Sequence, residues 1–329
     1  MSERSYTFSV VVCAYTEDRW PELIAAVTSL QLQTVHPHEI IVVVDHNPGL
    51  FARACTNLTG IKVIENHEPA GLSGARNSGL AAASGDLIAF MDEDAVAAPD
   101  WLARLRTGYA DPCVLGVGGA IEPVWQAGRP RWFPTEFDWV VGCTYRGMPV
   151  AAAPVRNLIG CNMSFRREVF KLIDGFQTGI GRIGTRPVGC EETELCIRLH
   201  QRQPQGVLLY MPLARVHHQV PAGRGKWRYF LSRCYAEGLS KALVCRRVGT
   251  DASLSSERNY TLQTLPSGFI HYLVEIVRHH DPLGLARATA LVLGLLFTTA
   301  GFMRGTLASE LAVLGNKVTH RHSLADLAK

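Results

Sequence analysis

The stretch Leu87-Ile88-Ala89-Phe90-Met91-Asp92-Glu93-Asp94 decides the predicted fold, because a continuous apolar run ends abruptly there in three acids. An apolar run of this length is typical of a strand buried on both faces of a parallel sheet. Open parallel sheets place ligand chemistry at the carboxyl ends of their strands. The three acids therefore stand where a ligand or a divalent cation would be held.

Asp92 and Asp94 form the useful pair among these acids. Successive side chains of a strand point to opposite faces, so if the strand continues through the acids these two share one side while Glu93 points away. Carboxylate oxygens suit Mg²⁺ or Mn²⁺ that bridges the phosphates of a substrate. Alternatively, the acids hold no ligand and simply begin a turn and cap the helix that starts at Pro99-Asp100-Trp101. The stretch alone does not separate the two interpretations.

Length and composition bound the class of protein. The 329 residues suffice for one large domain or two smaller ones. A formal net charge of +4 is too small to indicate a nucleic-acid partner. Nine cysteines without a C-x-x-C pair predict neither a zinc site nor a disulfide framework, and they are typical of reduced, mostly buried thiols in a cytosolic protein. The polar N-terminus runs directly into a strand pattern, so no secretory signal is expected.

Buried strands alternate with helical patterns along the first part of the chain. A parallel sheet of βαβ units with right-handed crossovers is therefore expected. Two strands end in acids, at Asp45 and at Asp92 to Asp94, and both ends belong to one edge of such a sheet. The predicted strands are Phe8 to Ala14, Glu39 to Asp45, Ile61 to Glu65 and Asp86 to Met91, and the first helix is Trp20 to Leu32.

A glycine-rich segment, Ala70 to Gly79 (AGLSGARNSG), precedes the Asp92 strand. Loop glycines let backbone amides approach a phosphate, and the following helix start and Arg76 both favour negative charge. The segment is neither a Walker A loop nor a G-x-G-x-x-G turn after a strand. In isolation it is a weak signal, because glycines also cap ordinary helices.

The segment from Glu122 to Arg156 loses regular periodicity and is rich in Pro, Trp and Gly. A structureless connection of this length is usually functional or mobile. Its aromatic residues, Trp125 among them, either suit the faces of a sugar or fill the core.

Two pairs of residues in the second half of the chain, one acidic and one of histidines, each allow a functional and a structural interpretation. Glu191 and Glu192 begin a strongly helical pattern, where they either cap the helix or provide a general base. His217 and His218 follow a short strand candidate, as metal ligands or as polar surface. The segment Arg224 to Arg233 is a basic helix start with aromatic residues. It could clamp phosphates, line a headgroup surface or be solvated.

The order of these segments resembles the family 2 glycosyltransferases, whose fold is the Rossmann-like GT-A fold. The resemblance rests on V-V-V-C-A-Y-T-E-D-R, I-V-V-V-D, G-L-S-G-A-R-N-S-G-L, G-D-L-I-A-F-M-D-E-D, G-C-N-M-S-F-R-R and E-E-T-E-L-C-I-R-L. Together these motifs cover about 70% of the chain, from Phe8 to Gly238. The implied fold class is α/β, with a mostly parallel central sheet and an α-helical C-terminal extension.

The resemblance assigns roles on the donor side of a site. It implies that the residues Ala14, Tyr15, Glu17 and Asp45 bind the nucleobase and ribose. Arg76 is expected near the diphosphate, and Asp92 and Glu93 complete the predicted nucleotide-sugar site. Asp92 and Asp94 are the expected D-x-D pair for Mn²⁺ or Mg²⁺, and the ion would stabilise the leaving nucleoside diphosphate.

The resemblance also assigns the acceptor side. Family members show Glu-Asp where this chain has Glu191-Glu192, so Glu192 is the expected base, with Glu191 as the alternative. A metal-binding histidine is expected downstream, at His218 in preference to His217. The acceptor side of the cleft is expected to include Asn162, with Trp125 against a sugar face.

These assignments predict an inverting, metal-dependent hexosyltransferase that moves a sugar from a nucleotide-diphosphate sugar to a hydroxyl of a saccharide or lipid-linked acceptor. Such a reaction belongs to cell-envelope polysaccharide, glycolipid or secondary-metabolite glycosylation. The alternatives are a non-catalytic nucleotide-sugar-binding scaffold and a sugar-phosphate nucleotidyltransferase. The latter would carry a G-x-G-x-x-x-R-x-x-P-K-like loop near the first strand, and none is found there.

Residues 1–245 are the predicted catalytic domain and residues 246–329 the helical extension. The extension either packs on the domain, forms a homodimer, or contacts the cytoplasmic face of a membrane. Its apolar part runs from Leu283 to Met303, and the uninterrupted portion of 16 residues from Ala288 is short of the roughly 20 that span a bilayer. The expected location is cytoplasmic, with peripheral membrane contact as one possibility.

Overall fold

One mixed sheet of nine strands organises the computed structural model, which describes residues 6–181, 189–249 and 255–326. The strands are β1 (Phe8–Ala14), β2 (Glu39–Val44), β3 (Lys62–Glu65), β4 (Leu87–Asp92), β5 (Ala95–Ala97), β6 (Val114–Trp125), β7 (Ala153–Pro154), β8 (Asn162–Arg166) and β9 (Val207–Val220). Their order is β3-β2-β1-β4-β8-β6-β9-β5, and β7 pairs with β9.

Helices cover both faces of the sheet and continue beyond it. They are α1 (Trp20–Gln31), α2 (Pro48–Asn57), α3 (Leu72–Ala82), α4 (Trp101–Gly108), α5 (Phe170–Ile173), α6 (Glu191–Arg202), α7 (Trp227–Val248), α8 (Ser255–Asn259), α9 (Leu265–His279) and α10 (Leu283–Asp326). A π-helical turn, Tyr260–Thr264, joins α8 to α9, and a 3-10 helix spans Thr135–Val141.

The parallel half of the sheet agrees with the prediction from sequence. The strands β2 and β4 both pair with β1 in parallel, and β3 pairs with β2 in parallel. Alternate residues of β1 enter different cores: Val10 and Val12 pack on one face of the sheet, and Val11 and Cys13 pack on the other. Burial on both faces explains why these strands show continuous apolar runs.

The other half of the sheet, which mixes antiparallel pairs with the parallel pair of β6 and β9, differs from the prediction. Strand β6 was not expected, because Gly116, Gly118 and Gly119 interrupt its apolar pattern. Close packing explains these glycines: a Cβ on Gly119 would lie 1.8 Å from the carbonyl oxygen of Ala214. The short strand candidate before His217 is part of a 14-residue strand, β9. The segment from Glu122 to Arg156 contains the end of β6, a 3-10 helix and β7.

The C-terminal helices pack on the sheet domain through a close crossing of α7 and α10. A Cβ on Gly238 of α7 would lie 2.0 Å from the Thr298 carbonyl oxygen, and a Cβ on Gly301 would lie 2.0 Å from that of Tyr235. Glycine at both positions therefore lets the two backbones touch. The boundary predicted at residue 245 falls inside α7. The division into two domains stays a prediction.

The outer face of α10 is apolar and exposed. Its stretch Leu283–Ala308 has 26 residues and a mean hydropathy of 1.6, which by length and composition would suffice to cross a membrane. Only 28% of the apolar window within it is buried inside the protein. The exposed apolar side chains recur at helical spacing: Leu285, Val292, Leu296, Met303 and Leu307.

The helix crossing predicts a strong effect of one substitution. Gly301→Val should lower the free energy of unfolding by about 1–3 kcal/mol, because its side chain must push α10 away from Tyr235. The matched control is Ala300→Val, at an exposed position of the same helix. Thermal melting of both variants measures the difference, and equal melting temperatures would contradict the close crossing.

Candidate active site

Three strand ends bring the predicted site residues to one edge of the sheet. Asp45 follows β2, Tyr15 follows β1, and Asp92 is the last residue of β4. The neighbouring strands run in parallel, so their carboxyl ends meet as the open-sheet rule requires. Antiparallel β9 pairs with β5 and adds His218 beside this edge, opposite Ala95.

Asp92, Asp94 and His218 form a candidate metal centre. One ligand atom from each of the three lies within 4.8 Å of the other two, and His218 Nε2 is 3.2 Å from Asp94 Oδ1. Asp94 and His218 are buried, whereas the Asp92 side chain is 28% exposed. Two carboxylates and one imidazole fit Mn²⁺ or Mg²⁺, and the exposed Asp92 leaves one side open to a ligand.

Two arginines, Arg19 and Arg224, contact the acids beside the metal centre. Arg19 contacts Glu93 Oε1 at 2.8 Å and Asp94 Oδ2 at 3.1 Å, and Arg224 lies 3.7 Å from Asp94 Oδ2. Burial raises the pKa of the Asp94 carboxyl, but His218, Arg19 and Arg224 outweigh burial and hold that pKa well below its usual range. Asp94 is therefore ionised.

Carboxylates and cationic groups face one another at this edge. Asp92, Glu93, Asp94 and Glu191 contact the guanidinium groups of Arg19, Arg76 and Arg224, and His218 contacts Asp94. Removal from water, followed by repulsion from Asp94, raises the pKa of Glu93 to about 7. The three converging ligand atoms of Asp92, Asp94 and His218 are therefore what indicates a cation site.

Arg76 connects the metal edge to helix α6. Its guanidinium is 2% exposed and donates to Glu191 Oε1 at 2.7 Å, to Asp92 Oδ1 at 3.3 Å and to the Gly160 carbonyl at 3.2 Å. The carboxylates of Glu191 and Asp92 already occupy this guanidinium. This placement therefore favours a positioning role for Arg76 over the direct contact with the diphosphate that was expected from sequence.

The two glutamates at the start of α6 differ in environment. Glu191 is buried in the ion pair with Arg76, whereas Glu192 is less buried; both residues line the large cleft described below. Removal from water, followed by repulsion from the carboxylate of Glu191, raises the pKa of Glu192 to about 8. Cys190 precedes them with a left-handed backbone, φ 72°, and such strain often marks functional sites.

Asp45 lies at the nucleotide side of the edge, beside Tyr15. Its carboxylate accepts hydrogen bonds from Asn66 Nδ2 at 2.6 Å and from the Gly71 amide at 2.8 Å. A small cavity of about 70 Å³ brings together the predicted residues Ala14, Tyr15, Asp45, Asp92 and Glu93. Glu17 lies outside this cavity, with an exposed side chain 3.5 Å from Arg53.

Besides Glu17, three more predicted site residues lie elsewhere. His217 points away from the metal centre toward Glu122 at 3.5 Å, because alternate residues of β9 face opposite sides. Asn162 is fully buried: it accepts from Trp101 Nε1 and donates to two backbone carbonyls, so its amide holds strands together and does not face an acceptor. Trp125 packs edge-on against Phe133, in an aromatic cluster outside the cleft.

Arg19 and Arg224 were not predicted as site residues. Arg19 ends the quoted motif V-V-V-C-A-Y-T-E-D-R, which was the available signal. Arg224 opens the basic segment after β9, six residues beyond His218, and was considered only as part of that segment. Both need the folded chain to bring them to Asp94.

A cleft of about 760 Å³ opens beside these groups. One wall carries Asp92, His218 and Glu192, and the other comes from the C-terminal helices, which contribute Lys241 and Phe302. The volume is within the range of about 300–1,000 Å³ for ligand sites. The metal centre and the candidate base thus face one space.

Comparisons of sequence agree with this arrangement. Residues 9–173 match the profile described as Glycosyl transferase family 2. The glucosyl-dolichyl phosphate glucuronosyltransferase of Haloferax volcanii is 34% identical over 312 residues, which are 92% of this chain and 97% of that protein. The succinoglycan biosynthesis protein ExoM of Rhizobium meliloti is 26% identical over 249 residues, 72% of this chain and 75% of that protein.

Solved structures share the fold. The mannosyltransferase PcManGT of Pyrobaculum calidifontis, solved with GDP-Man and Mn²⁺, gives a TM-score of 0.55 at 18% identity and covers 93% of this chain and 88% of its own. GalNAc-T7, solved with UDP, GalNAc and Mn²⁺, gives 0.52 at 18% identity, covering 85% of this chain and 59% of its own. The predicted α/β GT-A fold with a helical extension is confirmed.

The metal centre predicts that substitutions of two adjacent histidines affect Mn²⁺ binding differently. His218→Ala should weaken Mn²⁺ binding at least ~10-fold, since loss of even an outer partner of a metal ligand costs about 10–100-fold. The matched control, His217→Ala, removes a half-exposed ring that points toward Glu122 and should leave Mn²⁺ affinity unchanged. Calorimetric titration of Mn²⁺ distinguishes them, and equal losses would contradict the assignment.

Proposed function

The chain belongs to glycosyl transferase family 2, and from this premise we propose that it transfers a hexosyl group, with inversion, from a nucleoside-diphosphate sugar to a hydroxyl of a lipid-linked acceptor. One observation carries the proposal: Asp92, His218 and Glu192 line the same cleft. Sugar transfer needs a metal centre for the donor and a base for the acceptor in the same cleft. A non-catalytic binding scaffold needs neither.

Asp92, Asp94 and His218 would hold Mn²⁺ or Mg²⁺. When bound, such an ion supplies Lewis-acid stabilisation of the negative charge that develops on the leaving diphosphate. Asp45 and Tyr15 at the small cavity would hold the nucleobase and ribose, with Ala14 beside them. Glu93 acts through Arg19, which it binds.

Glu192 is the base in this proposal. As the acceptor oxygen forms its bond to the anomeric carbon, its proton passes to the Glu192 carboxylate and the bond from that carbon to the diphosphate oxygen breaks. A single displacement inverts the configuration. The environments of the two glutamates support this choice, because Arg76 holds Glu191 in an ion pair while repulsion and burial raise the proton affinity of Glu192.

Membrane contact completes the proposal. The relative from Haloferax volcanii is named for a dolichyl-phosphate-linked substrate, and the alignment covers nearly its whole length. The exposed apolar side chains of α10, among them Leu296 and Met303, offer a surface for the acyl region of a membrane. We place the enzyme on the cytoplasmic face, with α10 against the bilayer; the dimer considered from sequence stays a prediction.

Glu192→Gln tests the base directly. Transfer should fall about 10²–10⁴-fold, because an amide cannot accept the proton, while affinity for the nucleoside diphosphate stays nearly unchanged. His200→Gln, at an exposed position of the same helix, is the matched control. Release of nucleoside diphosphate in the presence of acceptor measures transfer, and a wild-type rate in Glu192→Gln would overturn the assignment.

The pH profile gives a second test. A raised pKa keeps Glu192 protonated, and so unable to accept a proton, until the pH approaches about 8. Transfer at low substrate concentration should therefore rise between about pH 6 and pH 9. A profile that is flat or falling across this range would contradict a base with this environment.

A further inference from the structure

The large cleft has five arginine and lysine side chains in its described lining, and carboxylates of the chain hold four of them. The lining residues are Arg76, Arg156, Arg224, Arg233 and Lys241. The held cations and their carboxylates are Arg76 with Glu191 and Asp92, Arg156 and Lys241 with Glu257, and Arg233 with Glu237. The fifth cation, Arg224, is in a different situation.

The guanidinium of Arg224 is buried without a hydrogen bond to any described residue. Its side chain is 10% exposed, and the carboxylate oxygen that it faces, Asp94 Oδ2, lies 3.7 Å away, which is beyond hydrogen-bond distance. A guanidinium carries five N–H donors, and withdrawing donors from water without acceptors costs free energy. Arg224 therefore has donors available for a ligand in the cleft.

Asp94 does not depend on Arg224 for a partner. The same oxygen, Asp94 Oδ2, lies 3.1 Å from a guanidinium nitrogen of Arg19, and Asp94 Oδ1 lies 3.2 Å from His218 Nε2. Both contacts are shorter than the one to Arg224. The Arg224 guanidinium can thus bind a ligand without leaving the buried Asp94 carboxylate unpaired.

The backbone that carries Arg224 is fixed by packing. Arg224 belongs to a 3-10 turn, Ala222–Gly225, directly after β9, the strand that provides His218. The turn packs so closely on Pro130 that a Cβ on Gly225 would lie 2.9 Å from the Pro130 ring. A cation on such a turn is preorganised, so little ordering cost opposes the binding of a ligand.

The position of Arg224 indicates which ligand it meets. Arg224 lines the same cleft as Asp92 and His218, and it faces Asp94, the third member of the candidate metal centre. A diphosphate held by a cation at this centre brings its oxygens beside the guanidinium, whose planar fork matches two phosphate oxygens. Arg19, the other arginine at this centre, lines the small cavity.

We propose that Arg224 binds the diphosphate of the donor and donates hydrogen bonds to it as the sugar leaves. This proposal rests on the proposed function and gives Arg224 the contact that was expected from sequence for Arg76. When the bond from the anomeric carbon to the diphosphate oxygen breaks, its electron pair stays on that oxygen. Arg224 stabilises the added negative charge and keeps its own protons.

Nucleoside diphosphates and monophosphates separate this contact from nucleobase binding. UDP, GDP, ADP, CDP and dTDP are titrated calorimetrically into the full chain in detergent with saturating Mn²⁺, and the tightest is compared with its monophosphate. Arg224→Met should lower affinity about 10–100-fold for the diphosphate and less than about 3-fold for the monophosphate. Arg224→Lys keeps the charge without the fork and should lose less. Arg228→Met, at an exposed position of α7, is the matched control.

Two outcomes of this titration would overturn the proposal. One is a diphosphate affinity in Arg224→Met equal to that of the wild type. The other is a wild type that does not prefer any diphosphate to its monophosphate.

Mn²⁺ alone distinguishes direct contact from an effect through Asp94. Without nucleotide, Arg224→Met should bind Mn²⁺ at least as tightly as the wild type, because the substitution removes a positive charge beside a metal ligand. If Mn²⁺ affinity instead fell as much as diphosphate affinity, Arg224 would act only by positioning Asp94. That result would also overturn the proposal.

The lipid-linked acceptor is the other source of phosphate oxygens. If Arg224 bound that phosphate, Arg224→Met would weaken binding of a short prenyl phosphate and leave diphosphate affinity unchanged, which would contradict the assignment to the donor. A wild type that binds the diphosphate through Arg224 but transfers no sugar would instead refute the proposed function and leave the diphosphate contact in place.

Discussion

The ion pairs of the buried Arg76 guanidinium fix the geometry on which the site depends. A cation that is 2% exposed loses its hydration, and Glu191, Asp92 and the Gly160 carbonyl replace it. Removing one partner of such a pair typically costs about 3–5 kcal/mol, so all partners stay in place. A strand end and a helix start that are far apart in sequence are thereby held on the same cleft. Asp92 is positioned for the metal centre, and Glu191 is withdrawn, which leaves Glu192 as the candidate base.

The cleft combines two structural units with different chemistry. The sheet edge gathers two carboxylates and an imidazole, which suit a divalent cation, whereas the C-terminal helices contribute apolar side chains such as Leu295 and Phe302. Helix α10 closes the second half through its glycine crossing with α7, and its outer face remains apolar. In the proposed function, one helix therefore shapes the acceptor half of the site and contacts the membrane from which the acceptor comes.

The sequence was informative where local pattern determines structure. Continuous apolar runs predicted β1, β2 and β4. The period of two did not extend beyond Asp92, because β4 ends there and a turn brings Glu93 and Asp94 to the same guanidinium of Arg19. Tertiary packing decided the rest. Glycines needed for close approach hid β6, the long β9 separated His218 from His217, and Asn162 is held by Trp101 and two backbone carbonyls from other segments. Arg19 and Arg224 reach Asp94 only in the folded chain, so no local pattern could reveal them.

The most direct test of the central claim is the configuration of the new glycosidic bond. The purified full chain would be incubated with Mn²⁺, an α-linked nucleoside-diphosphate sugar and a prenyl-phosphate-linked glucose, and the anomeric coupling of the product would be read by proton NMR. A metal centre and one base on the same cleft predict a β-linked product that forms only when the metal is present. An α-linked product, or equal yield after chelation of the metal, would contradict the account.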